Sequence, residues 1–68
     1  MIKVIIYEQN INVQHGDSPE IQTYILDTLK REKIPWSYFP ETLEICIHAS
    51  EAYHALYKLS YEHDILLI

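Results

Sequence analysis

Cys46 and His48 are the only cysteine–histidine pair that sits close together in this 68-residue chain, which holds one cysteine and four histidines. They fall in a stretch where Leu43, Ile45 and Ile47 alternate with Glu44, Cys46 and His48. Such alternation marks a strand, so thiol and imidazole share a face. Two ligands from one chain are too few for a closed zinc site, although two copies, each giving Cys46 and His48, would complete a tetrahedral set. Without that pairing Cys46 is a small, semi-apolar strand residue. As nucleophile and base the two fit poorly, because neighbours on one strand face lie roughly 6–7 Å apart. His54 and His63 belong on a helix packed against the opposite side. The expectation is therefore no catalytic centre, no cofactor and no bound metal.

The second place for chemistry is His15-Gly16-Asp17-Ser18-Pro19. It holds the single glycine, a capping serine and a proline suited to a first helical turn. Gly16, Asp17 and Ser18 could present free N–H groups to an anionic ligand, as any helix start can. There is no phosphate-cradling loop, since Gly16 stands alone. Lys30, Arg31 and Lys33 cluster within four positions, where a helix C-terminus favours cations through its dipole.

Composition narrows the classes. Lys and Arg total 5 against 10 Asp and Glu, a net charge of −5 that works against phosphate-backbone binding. The acidic residues form no block that would mimic nucleic acid. Almost half the residues are apolar, too many for a disordered chain of low hydrophobicity. One cysteine excludes an internal disulfide, and no run nears the roughly 18 apolar residues of a membrane span. A reduced, cytoplasmic setting and a single α+β domain over 1–68 follow.

The elements that position these groups can be read in turn. Met1 to Tyr7 is a strand apolar on both parities, as central strands are. Ile11-Asn12-Val13-Gln14 alternates strictly, and either lengthens that strand or folds back near Gln9-Asn10. A helix is predicted from Pro19 to Lys33, with Ile21, Ile25, Thr28 and Leu29 inward, Tyr24 at the edge and Leu26 exposed. Trp36 to Phe39, bracketed by Pro35 and Pro40, suits an edge strand. Leu43 to His48 is the next strand. Ser50 is the expected cap of a second helix whose buried face includes Ala52, Ala55, Leu56 and Leu59, and Asp64 to Ile68 forms the last strand. The order β-α-β-β-α-β predicts a ferredoxin-like plait: a four-stranded antiparallel sheet with both helices on one face.

Such a fold leaves one sheet face open. Ile5, Tyr7, Cys46 and His48 are expected to line it, with either Trp36 and Tyr38 or else Phe39 from the edge strand, and to form an oligomer interface. Burying about 400 Å² there would contribute on the order of 10 kcal/mol before association costs. On the second helix, Tyr53, His54, Tyr57 and Tyr61 turn toward solvent and form a candidate partner-binding stripe. The opposing reading folds those rings over a small core. The functional expectation is a non-enzymatic, acidic interaction protein, an adaptor or inhibitor, that binds a protein partner or self-associates. The alternative is a small-ligand-binding homo-oligomer with an anionic-ligand pocket near residues 15–18. An enzyme or an RNA-binding domain ranks behind both. The glycine- and aromatic-rich signature of base-stacking sheets is absent from Leu43 to His48.

Overall fold

The computed structural model describes all residues from Met1 to Ile68. Ile2–Ile6 (β1) and Asn10–Gln14 (β2) form an antiparallel hairpin whose turn is closed by the Tyr7 N–H donating to the Asn10 carbonyl. The weaker alternation at Ile11 to Gln14 is thus a strand of its own. Pro19–Arg31 (α1) follows, then Ser37–Phe39 (β3), Glu44–His48 (β4), Ala49–Leu59 (α2) and Ile65–Leu67 (β5).

The sheet has five strands rather than the four expected, in the order β3-β4-β2-β1-β5. It is mixed: β1–β2, β2–β4 and β3–β4 are antiparallel, whereas β1 and β5 run parallel. Two features depart from the expected antiparallel plait. The extra strand β2 separates β1 from β4, and β5 joins β1 in the parallel sense. Both helical connections, β2-α1-β3 and β4-α2-β5, join strands of like direction, as crossovers with a helix do.

The core is one cluster in which Ile2, Val4, Ile11, Val13, Ile45 and Ile47 of the sheet meet Ile25, Leu29, Ala55 and Leu59 of the helices, with Ile34. Register explains the alignment: Val4 opposes Val13, which opposes Ile45, and Ile11 opposes Ile47, so all point the same way. The helices are tied by Tyr24, whose hydroxyl donates to the Leu59 carbonyl at 2.8 Å while its ring meets His63 edge-on. Leu26, expected to be exposed, is half-buried against the core.

Helix ends follow local chemistry. Ser18 caps α1, its Oγ accepting from the Ile21 N–H, with Pro19 at the first turn. The helix ends at Arg31, two residues before the expected Lys33. Lys33 takes a positive φ of 58°, and the Lys33 and Ile34 N–H groups close on the Lys30 and Leu29 carbonyls. The cap of α2 is His48 rather than Ser50: its Nδ1 accepts from the Ser50 N–H at 3.1 Å. Strand β4 therefore passes into α2 with no intervening loop.

Candidate functional site

The open sheet face is not the apolar surface expected. Ile5, Asn12, Cys46 and Ser37 form one cross-strand row, and Leu66, Lys3, Gln14, Glu44 and Phe39 another. Because β2 occupies the centre, Asn10, Asn12 and Gln14 place three amides in mid-face. Asn10 donates to Asn12, Asn12 to one Glu44 carboxylate oxygen at 2.7 Å, and Gln14 to the other at 2.8 Å. This satisfied polar ladder divides Ile5 from Phe39.

The six residues expected on one interface are correspondingly dispersed. Ile5 and Cys46 share the open face but are separated by Asn12. Tyr7 lies exposed at the β1–β2 turn, and Trp36 is half-buried against the core. Tyr38 opposes buried Ile45 and so turns to the helix side, where its hydroxyl lies 3.3 Å from His15 Nε2. That side places Tyr38 off the open face, correcting its place in the interface, and puts Phe39 on the open face, the other of the two parities expected. His48 stays exposed, with Nδ1 committed to Ser50.

Cys46 and His48 do line one cleft of about 350 Å³ with Gln9, Asn10, Pro35, Trp36 and Ser37. No group of three or more His, Cys, Asp and Glu side chains converges to hold a metal ion. Around Gly16, Asp17 and Ser18 a cleft of about 220 Å³ is shared with His15, Tyr38 and Leu43. Ser18 N–H donates to the His15 carbonyl, Pro19 has no N–H, Ile21 donates to Ser18 Oγ, and Gln22 donates to the Ser18 carbonyl. Acidic Asp17 itself lines this cleft.

A second apolar surface lies on the helix side, along the β5 edge, whose Leu66 is exposed on the open face beside Lys3. Tyr53, Leu56, Tyr57 and Ser60 of α2 and the following turn face Ile65 and Leu67 of β5 across a groove of about 360 Å³. Tyr53 is 84% exposed and Tyr57 54%. Ile6 shares the helix-side parity of Val4 but is 55% exposed, which extends the apolar surface along β1. Tyr57 meets Tyr61 edge-on at 5.3 Å between ring centroids, and the Lys58 ammonium sits 5.3 Å over the Tyr61 ring. Hydrogen bonding and charge interaction with the Tyr61 phenol, aided by desolvation, push the Tyr57 hydroxyl above its ordinary range against the pull of Lys58.

His54 does not join this stripe. It turns to the other flank of α2, where Nε2 lies 3.1 Å from Glu32 Oε1. Arg31 and Lys58 approach the same carboxylate at 3.6 and 3.9 Å. Desolvation works to raise the Glu32 pKa, but the His54 hydrogen bond, followed by the charges of Lys58, His54 and Arg31, outweighs it. The carboxyl is held below its ordinary value.

Of the residues singled out from the sequence, Tyr53, Tyr57 and Tyr61 are thus brought together, while His54 is diverted to a helix–helix tie. Leu56, Ile65 and Leu67 were not assigned to this site, and the signal for two of them was present. A terminal strand apolar at both parities must show one face, since a sheet edge is covered less than its centre. No helix is long and apolar enough to cross a membrane. Comparison of the chain with protein-family models, with curated proteins and with solved structures finds no match to any of them.

Proposed function

We propose that this chain is a non-enzymatic interaction module, an adaptor or inhibitor, that docks a protein through Tyr53, Tyr57 and the groove between α2 and β5. The single observation that carries this reading is the groove itself, walled by two exposed tyrosines and floored by Leu56, Ile65 and Leu67. Tyrosine binds well at such positions because it offers large area and a polar tip with few rotatable bonds. The net charge of −5 favours a partner that is not a polyanion. Its one cysteine, half-buried and free, suits work in a reducing, cytoplasmic setting.

The test replaces Tyr53 with a photoreactive benzoylphenylalanine in cells, with Thr23 on the exposed side of α1 as the control position. The Tyr53 probe should yield a discrete covalent adduct that the Thr23 probe lacks. Equal labelling from both positions would sink the reading.

A further inference from the structure

We infer that the occupant of this surface is a second copy of the same chain, joined by antiparallel pairing of β5 with its twofold mate. The inference rests on the docking reading above and names its partner.

The backbone supplies the first argument. Ile2 N–H donates to the Asp64 carbonyl and Ile68 N–H to the Val4 carbonyl. Positions 64, 66 and 68 therefore turn toward β1, and the N–H and C=O groups of Ile65 and Leu67 point out from the free edge. An unpaired edge is normally blunted by lysine, proline, a bulge or extreme brevity. The opposite edge, β3, is equal in length to β5 at three residues, but it is bracketed by Pro35 and Pro40. The side chains of Ile65, Leu66, Leu67 and Ile68 carry no charge, and none of the four is proline. The two edges of one sheet are treated differently, and only β5 is left fit for pairing.

Register then makes the contact self-complementary. With the axis at Leu66, Ile65 opposes the partner's Leu67 and Leu67 opposes the partner's Ile65. Each of these pairs exchanges two hydrogen bonds, while the two Leu66 residues face each other without bonding. The side chains of Ile65 and Leu67 stay on the helix side, so the two α2 grooves meet and bring Tyr53 and Tyr57 into the same interface. No carboxylate lines the groove, which lets two acidic chains meet here with their charges outside the contact.

The area is adequate. Leu66, Leu67 and Ile68 are 43%, 55% and 66% exposed, beside the two tyrosines. Together these groups offer on the order of 500 Å² per copy. The total of about 1,000 Å² reaches the size at which specific interfaces begin.

Two measurements on the full chain test this. Sedimentation across a concentration series should show a monomer–dimer equilibrium, and Leu67→Lys, at an exposed position, should raise its midpoint at least tenfold while the fold is kept by circular dichroism. In a Cys46→Ser background, Leu66→Cys should form a disulfide dimer under mild oxidation, because facing residues of a non-bonded pair lie within disulfide reach. Leu67→Cys, displaced from its own mate along the strand, should cross-link at least tenfold less. A chain that stays monomeric at millimolar concentration without the Leu66→Cys cross-link overturns the inference, as does a dimer indifferent to Leu67→Lys. If such a monomer still captures a different protein through the Tyr53 probe, self-pairing falls and the docking reading stands. If the probe captures nothing, both fall.

Discussion

Lys33 carries a conformation that its side chain disfavours. The Lys33 N–H closes on Lys30 and the Ile34 N–H on Leu29, a helix ending that needs a left-handed residue at position 33, where φ is 58°. Glycine takes that region freely, whereas a residue with Cβ is strained there by roughly 1 kcal/mol. The ending is kept because it delivers Ile34 into the core beside Leu29. Lys33→Gly should therefore raise stability by about 1 kcal/mol, a gain of roughly 4–8 °C in Tm for a domain of this size. A thermal melt that shows no rise, or a fall, would mean the lysine side chain contributes more than its strain. The same scale shows why two caps were read differently from the sequence. Ser18 was legible as a cap because Pro19 follows it. His48 was not, since only its position at the end of β4 sets Nδ1 over the Ser50 amide.

Between elements, the joint of α1 and α2 is both apolar and charged. Tyr24 reaches the Leu59 carbonyl, and Glu32 at the end of α1 gathers His54 and Lys58 from α2. The Glu32 carboxyl is held below its ordinary value of 4.5 by these partners, so the folded state binds its proton less readily than the unfolded chain. The stabilisation is complete above pH 4.5 and is lost as pH falls through the lowered folded value. Removing the charge with Glu32→Gln should lower Tm near neutral pH. The difference from the parent should close as melts are repeated at pH values progressively below 4.5. A difference that persists unchanged in acid would assign the effect to packing rather than ionisation. Elements themselves were largely legible: both helices, the β1 and β4 strands, and the inward parity of Ile45 and Ile47 follow from periodicity. The pairing of β2 between β1 and β4 was not, because strand neighbours are chosen by contacts far apart in sequence.

For the molecule as a whole, that one pairing moves the apolar surface. With β2 at the centre, the open face carries the Asn10–Asn12–Glu44 ladder, and Tyr53, Tyr57 and Leu67 gather at the β5 edge. The tyrosines there are outside the core, so Tyr57→Ala combined with Tyr61→Ala should shift Tm by only a few degrees while abolishing partner binding. A loss of more than roughly 3 kcal/mol, the range of large core truncations, would show instead that the rings fold down over the core.

Local pattern alone determined the helices, most strands and the tyrosine stripe of α2, because each depends on residues within a turn or two of one another. Which strands adjoin, which way β5 runs and therefore where Tyr53 and Tyr57 find Ile65 and Leu67 were decided only in three dimensions. A strand's alternation records which side chains share a face, but its neighbours are selected by hydrogen bonds and packing across the whole sheet.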